Sequence, residues 1–597
     1  MMRQEEEISS EEGIDGHEFS ELSESLAASG SWKSSEPRTL GDFDSNFFSL
    51  MCNVGDCDAV ALATIDTQGE SEFRVPSSPV NEAEIPPVSV AGVDRSRYKG
   101  AWYKAMETEM QGLVDSNTFT VLDKLPEGEK AIGSRWVLSY KSDAEGMITK
   151  TKARLVTKWF MQREGVDYLQ TSAPTPAAAS VKILMTVANE KGYIYHLDVA
   201  QAFTKAELDC VVYMKLPGGC DDLSGKFVRL EKALYGLRQS GLLLNDLLVV
   251  KLVQVHGMEQ CKTDPCVFRL IREGIVVMIV TVHVDDMAVA GPREEVDKLL
   301  EVLNEDLTTN DLGELSFFTG CAFKQNLELS EISINQTAFI ETLARRFDVT
   351  TTSLYPASPG ANLEARMEGE SGGTWAYREA VGGLMWLVVM SRPDIANAVR
   401  AVARHSHDPT ARHWKAVLMI IEYLVGMKDL GLTFERGSGL NLSVFADANY
   451  AEKADDRRSV SGVAVTLGNS VVSWVSSTQK IVTLSTTEAE YVALGDGVKE
   501  ELFAKSVLSF IVPSLSENCI EVFVDNEGAI ALANNPLSSA RTKHIDVRFH
   551  FIRELIRSKT IFVKYVPTKE QHADILTKTL TGITFRNHRD FLMNLHV

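Results

Sequence analysis

Cysteine is scarce in this chain of 597 residues: there are 8, at scattered spacings. A protein this long with so few cannot rest on a disulfide framework. Glycine (40) and proline (18) are at ordinary levels, which excludes collagen-like and mucin-like classes. The sequence also lacks any apolar run near the ~20 residues that a membrane-spanning helix requires. Its longest run, 275–282, is strand-sized. The opening Met-Met-Arg-Gln-Glu-Glu-Glu is too acidic for a secretory or transit peptide. With 44% hydrophobic and 24% charged residues, the chain can bury several cores, and its length suits roughly three to five domains. The expectation is a soluble, intracellular, multidomain protein with no membrane partner.

Positive charge is short as well, with a net charge of -22. Its distribution matters more than its sum. Residues 1–95 hold 20 Asp/Glu against 5 Lys/Arg, whereas the other 502 hold 62 against 55. Most of the excess therefore sits in the first sixth, and the remainder is balanced enough to carry basic grooves. Residues 1–95 read as an acidic, mostly disordered leader, rich in Ser, Glu and Asp and ending around Pro76, Pro79, Pro86 and Pro87. Cys52 and Cys57 have no second pair to complete a metal site, and neither do Cys261 and Cys266.

Periodicity begins near Tyr98. Trp102, Met106, Met110 and Leu113 recur at helical steps. Strand patterns follow at Phe119–Leu122 and 135–140, then a basic stretch at 148–160, a helix around 181–187 and strands at 193–198 and 275–284. Helical patterns run from Trp375 to Met427, with Trp414, Val417, Ile421 and Leu424 on one face. Strands resume at Leu442, followed by a helix from Thr486, a strand at 519–524, a helix at Glu527–Asn534 and a final helix-strand-helix.

Two sets of acids carry chemistry. In Ile279-Val-Thr-Val-His-Val-Asp-Asp-Met-Ala-Val-Ala-Gly291, an apolar hairpin exposes Asp285 and Asp286 at its turn. Adjacent carboxylates repel, and a divalent cation is one reason to hold them together. Tyr195-His-Leu-Asp-Val-Ala-Gln-Ala-Phe203 ends another apolar strand with Asp198. Three such acids suit a two-metal phosphoryl-transfer site, in which one ion activates a 3′-hydroxyl and the other stabilises the leaving pyrophosphate. Farther on, Leu442-Ser-Val-Phe-Ala-Asp-Ala-Asn-Tyr450 and Val522-Phe-Val-Asp-Asn526 end strands with Asp447 and Asp525. Thr486-Thr-Glu-Ala-Glu-Tyr-Val opens a helix, and Gln571-His-Ala-Asp-Ile-Leu-Thr-Lys578 begins the last one. Strand-end acids faced by helix acids form a second cluster, of the kind that hydrolyses phosphodiesters by activating water.

These segments resemble the reverse transcriptase of copia-type LTR retrotransposons, whose motifs read approximately Asp-Val-x-x-Ala-Phe and Tyr-Val-Asp-Asp. Lys152-Ala-Arg-Leu-Val-Thr-Lys-Trp-Phe160, Tyr235-Gly-Leu-Arg-Gln239, Asp311-Leu-Gly-Glu-Leu315, Tyr377-Arg-Glu-Ala-Val-Gly382 and Ser391-Arg-Pro-Asp-Ile395 are similar to further motifs of that family, in the same order. The C-terminal region resembles the RNase H domain of the same elements through Arg457-Arg-Ser-Val-Ser-Gly462, the Thr-Glu-Ala-Glu-Tyr stretch and Arg541-Thr-Lys-His-Ile545. The resemblance runs from about Trp102 to the C-terminus. It implies an α+β and α/β multidomain fold: a right-hand polymerase of fingers and palm (96–340), a helical thumb and connection (341–438), and an RNase H-like mixed-sheet domain (439–597).

The resemblance also implies roles. Asp198, Asp285 and Asp286 would bind two Mg²⁺, with Mn²⁺ as a substitute; so would Asp447, Glu490, Asp525 and Asp574. Glu490 is preferred to Glu488 because its surroundings align better, and two residues about 200° apart on one helix cannot face the same site. Lys152 and Arg154 would meet the triphosphate of a dNTP, Phe203 would exclude a ribose 2′-hydroxyl, and Gln239 would contact the nucleotide or template. The partners implied are an RNA template, a DNA primer, an RNA/DNA hybrid and dNTPs; the location implied is the cytoplasm or a virus-like particle. His544 and His572 are expected to pack rather than bind metal, and His405 and His407 to be solvated.

Three positions depart from the family pattern: His283 where Tyr is usual, Trp159 where Gly is usual, and Ser240-Gly-Leu-Leu-Leu244 where the family carries approximately Ala-Pro-Arg-x-Trp. No nucleic-acid-binding Cys/His knuckle, protease or integrase signature is present, so the chain is expected to be the polymerase–RNase H portion of a longer product, or a truncated reading frame. The alternative function is a degenerate or domesticated relic that binds nucleic acid or a protein partner without polymerising, with or without RNase H activity.

Overall fold

The computed structural model describes residues 83–142, 147–326, 328, 330–361, 363–451, 456–534 and 546–595. Nearly all of the acidic leader, with Cys52 and Cys57, lies outside the described residues, as do His544 and the 541–545 motif.

The first layer pairs a helix with a sheet. Helix Lys99–Asp115 buries Trp102, Met106, Met110 and Leu113, the face its spacing dictates. It lies on a five-stranded sheet ordered Phe119–Leu122, Phe227–Lys232, Glu207–Lys215, Ala131–Ser142, Ile148–Thr157. In the last of these strands Ala153, Leu155 and Thr157 are buried. Successive strand residues point to opposite faces, so Lys152 and Arg154 share the other one.

A six-stranded antiparallel sheet follows, ordered Thr309–Glu314, Ile194–Val199, Asp286–Ala290, Ile275–His283, Val267–Arg272, Glu259–Gln260. Both faces are covered. Val280, Val282, Met287 and Val289 join a core with helices Ser240–Val249 and Arg293–Asn304, whereas Ile279, Ala288 and Ala290 join one with helix Ala178–Lys191. Double coverage explains why 275–282 is a continuous apolar run rather than an alternating one. The leucine-rich 241–244 segment lies in helix Ser240–Val249, where Leu244 and Leu248 are buried in this core. Of that departure from the family pattern, Leu244 packs in this core, and Leu242 and Leu243 are half-buried.

A four-stranded sheet, ordered Phe317–Phe318, Cys321–Asn326, Glu331–Asn335, Leu432–Glu435, carries helices Thr337–Arg346, Tyr377–Met390, Ala396–Ala403 and Ala411–Gly426. Because Leu432–Glu435 returns to pair with Glu331–Asn335, this unit runs from 317 to 435, and the expected boundary at 340 falls inside it. At its centre Arg392 and Asp394 form a fully buried bidentate pair (3.0 and 2.8 Å). Tyr423 donates to the same carboxylate at 2.7 Å, and Arg392 donates to the Met427 carbonyl at 2.9 Å. The Ser391-Arg-Pro-Asp-Ile motif is thus an internal anchor. His405 is buried, contrary to expectation, because its ring stacks on that of His413 (3.8 Å, 8°); His407 is exposed.

The last sheet is mixed, ordered Ser470–Thr478, Val460–Leu467, Leu442–Asn449, Ile520–Val524, Ile561–Tyr565. The first three strands are antiparallel and the last two run parallel to the central one. Helix Thr486–Ile511 crosses this sheet and shares its core. Trp474 donates from its indole to the Val388 carbonyl at 2.8 Å. Lys182 donates to the Val389 carbonyl at 2.9 Å, its ammonium 4.2 Å from the Trp474 ring centroid. The mixed sheet, the 317–435 unit and helix Ala178–Lys191 therefore share one continuous core. Among the described residues no helix is long and apolar enough to cross a membrane.

Candidate active sites: two carboxylate clusters

The first cluster is set by strand register. Asp286 pairs directly with Asp198, and with His283 across the hairpin. Asp285 occupies the two-residue turn behind Val284, whose φ of 60° is a left-handed conformation rarely taken by a β-branched residue. The turn is tied down by the Val199 amide, which donates to the Asp285 carbonyl at 3.0 Å. Burial, then the charges of Asp286 and Asp198, push the Asp285 carboxyl up to about 7, against a smaller opposing pull from Arg154. His196, on the same strand face as Asp198, brings Nε2 to 3.3 Å from Asp286 Oδ1. Asn310 Nδ2 lies 3.5 Å from Asp198 Oδ2. His283 packs edge-on to Phe318 at 6.1 Å, and burial lowers its pKa.

Arg154 and Phe203 meet through Tyr235. The Arg154 guanidinium lies 4.7 Å from the Tyr235 ring centroid, and Phe203 packs edge-on to that ring at 4.9 Å. Gly236 makes this contact available: its φ is +88°, and a Cβ there would sit 2.5 Å from the Thr157 carbonyl. Tyr235 thereby rests against the end of the strand bearing Lys152 and Arg154. Gln239 is placed differently from expectation. It is fully buried, accepts from Gln162 at 3.0 Å and donates to the Asp167 carbonyl at 2.8 Å. Both ends of its amide are taken, so in this conformation it clamps the 159–168 segment and presents no group to a nucleotide. Trp159 is partly exposed, with Arg238 stacked 4.7 Å from its ring centroid.

The second cluster is tighter. Asp447, Asp525 and Asp574 bring one carboxylate oxygen each within 4.8 Å of one another. Asp447 comes from the central strand, Asp525 from the end of its parallel neighbour, and Asp574 from the first turn of helix Asp574–Thr577. That helix approaches because Gly462 lies opposite Asp447 in register. A Cβ on Gly462 would sit 2.5 Å from Thr577 Cγ2 and 2.9 Å from the Ala573 carbonyl. Glu488 is used elsewhere: its carboxylate accepts from the Leu484 amide at 2.6 Å, and its own amide donates to Ser485 Oγ at 3.2 Å, a helix N-terminal cap. Glu490 is the glutamate that faces the cluster. Its buried Oε2 has no hydrogen-bond partner, and burial followed by Asp447 and Asp525 pushes its carboxyl up to about 9. Burial and Asp447 push Asp574 up to about 7.

Lys578 supplies the counter-charge. Its ammonium lies 3.2 Å from Asp447 Oδ1 and 2.6 Å from Asp574 Oδ1, while Thr577 Oγ1 donates to Asp447 Oδ2 and Thr568 Oγ1 donates to Asp525 Oδ2 at 2.8 Å. His572 packs against the rings of Phe445 and Phe591. Sequence reasoning passed over Lys578, Thr577, His196 and Tyr235. The signals were a lysine four residues after Asp574 on a helix, a histidine two residues before Asp198 on a strand, and the aromatic of a motif already identified.

Both donor sets fit divalent metal. They consist of hard carboxylate oxygens gathered from separate segments of the chain and, in the second cluster, drawn around the Lys578 ammonium.

Residues 116–358 match a family model described as reverse transcriptase (RNA-dependent DNA polymerase), and this stretch belongs to that family. The chain as a whole is a relative of transposon Pol polyproteins. It is 32% identical over 512 residues to the retrovirus-related Pol polyprotein from transposon TNT 1-94 of Nicotiana tabacum, covering 83% of this chain and 38% of that protein. It is 32% identical over 494 residues to the one from transposon RE2 of Arabidopsis thaliana, covering 81% of this chain and 33% of that one. The chain thus spans less than half the length of these relatives. A solved foamy viral protease-reverse transcriptase in complex with RNA/DNA hybrid is similar with a TM-score of 0.43 and 12% identity, covering 92% of this chain and 66% of that one.

Proposed function

We propose that the chain is an RNA-directed DNA polymerase with a fused RNase H, copying RNA into DNA and degrading the RNA strand of the hybrid. The observation that carries this reading is the convergence of two separate carboxylate sets, one inside the reverse transcriptase stretch and one on the mixed sheet behind it. Asp198, Asp285 and Asp286 would hold Mg²⁺ at the polymerase site, and Asp447, Glu490, Asp525 and Asp574 at the RNase H site; Mn²⁺ would substitute. When bound, the ions lower the pKa of an attacking hydroxyl or water and neutralise charge on the leaving oxygen.

The chain's own residues do the rest. Lys152 and Arg154 project from one strand face as fixed cations for a dNTP triphosphate. Tyr235 braces Arg154 and Phe203, which sets the Phe203 ring against the sugar. His196 and Asn310 orient the carboxylates of Asp286 and Asp198. The partners are an RNA template, a DNA primer, the hybrid and dNTPs, and the expected location is the cytoplasm or a virus-like particle. In this reading 96–316 forms fingers and palm, 317–435 the connection, and 442–595 the RNase H. The relic reading drew on the replacement at Leu242–Leu244 and on the acidic leader, and no specific observation favours it over catalysis.

The test is primer extension on an RNA template with Mg²⁺, alongside cleavage of a labelled hybrid. Extension lost in Asp285→Asn/Asp286→Asn, and cleavage lost in Asp525→Asn, are expected. Folded wild-type protein with neither activity would overturn the proposal in favour of a binding relic. Hybrid binding should also weaken steeply with salt, since backbone contacts release counterions.

A further inference from the structure

The second carboxylate cluster holds an internal cation. Lys578 follows Asp574 by four residues, so the helical turn folds its side chain back over that carboxylate and onto Asp447, with contacts of 2.6 and 3.2 Å. Thr577, one residue earlier, donates to the other oxygen of Asp447. Both oxygens of the most buried acid in the cluster are thereby committed to groups from this single turn. The open valence lies on Glu490, whose buried Oε2 has no partner. An ammonium at hydrogen-bond distance from two carboxylates competes for their charge with any divalent ion that the same acids would hold.

We propose that Lys578 is a positioning residue that competes with divalent metal. It holds Asp447 and Asp574 together in the metal-free protein, and its ammonium would give up those contacts where the same carboxylates hold an ion. Asp447, Asp525 and Asp574, with carboxylate oxygens within 4.8 Å of one another, repel when ionised, and Lys578 keeps Asp447 and Asp574 together at the cost of weaker metal binding. This rests on reading the cluster as an RNase H metal site.

The test is Mn²⁺ binding to the full chain, followed by electron paramagnetic resonance in an Asp285→Asn/Asp286→Asn background so that palm binding does not contribute. Wild-type Lys578, Lys578→Met, Lys578→Arg and Asp525→Asn would be compared, with thermal unfolding measured with and without Mn²⁺. Losing the competing charge should tighten Mn²⁺ binding in Lys578→Met roughly tenfold, while lowering the melting temperature of the metal-free form. Lys578→Arg, which keeps the charge, should stay near wild type. Equal or weaker Mn²⁺ binding in Lys578→Met would overturn the competition. If the metal-free Lys578→Met protein does not fold, Lys578→Gln, which keeps a hydrogen-bond donor without the charge, carries the same prediction. Wild-type binding that Asp525→Asn leaves unchanged would overturn the underlying metal-site reading instead.

Discussion

The two acid clusters solve the same electrostatic problem in different ways. In the palm hairpin, Asp198, Asp285 and Asp286 are kept in place by backbone, through a strand register and a strained turn at Val284, and by polar side-chain contacts from His196 and Asn310 rather than by a lysine. On the mixed sheet, Asp447 and Asp574 are kept in place by a charged side chain, Lys578, and by Thr577. The palm acids are half-buried at the end of a rigid hairpin. A site sunk between a sheet and two helices has to neutralise its acids internally, because burial removes the solvent that would otherwise screen them.

The largest expected effects separate the clusters completely. Asp285→Asn/Asp286→Asn should abolish primer extension and leave hybrid cleavage intact, and Asp525→Asn should do the reverse; gel assays on the same preparations check both. Next comes the core that joins them. Asp394→Asn leaves Arg392 buried without its partner and should cost about 3–5 kcal/mol, read as a lower urea midpoint. Loss of both activities together at 37 °C would accompany it. Weaker, and confined to the palm, is His196→Ala. Removing a group that orients a metal ligand should raise the Mg²⁺ requirement of extension roughly 10- to 100-fold, with His196→Gln partly restoring it and hybrid cleavage unmoved.

The pH dependence of stability sharpens the contrast further. Glu490 near 9 and Asp574 near 7 lie above their ordinary values of 4.5 and 3.8, so the native state holds protons that the unfolded chain gives up. Stability of the metal-free protein should therefore fall as pH rises from about 4 toward 9, with a slope of at most about 1.4 kcal/mol per pH unit for each group. Mg²⁺, which binds ionised carboxylates, should flatten that decline; melts in chelator and in Mg²⁺ across this range would show it. Smallest is Trp159→Gly, at an exposed position whose ring meets Arg238 and Phe160. Its effect on stability should stay within about 0.5 kcal/mol.

Much of the architecture was legible because periodicity reports burial. Helix Lys99–Asp115, strand Phe119–Leu122 and helix Glu527–Asn534 lie where their patterns put them. Helix Ser240–Val249 was not recognised, because its leucines stood out only as a replaced motif, and a short apolar run does not distinguish helix from strand. The return of Leu432–Glu435 to the strand at Glu331–Asn335 was invisible for another reason. Nothing local in either strand encodes a pairing across 100 residues. His405 was misjudged because its burial comes from stacking on His413, a contact made by the fold.

The sequence by itself determined the kinds of chemistry available: which acids stand at strand ends, which cations share a strand face, and the order of motifs that marks the family. Those are properties of residue type and short-range period. Only the tertiary structure decided which of those groups meet. It turned Glu488 into a cap and Glu490 toward the cluster, sank Gln239 into a clamp, and brought Lys578 onto Asp447. Each of these depends on distances between segments far apart in the chain, and such distances exist only once the cores have closed around them.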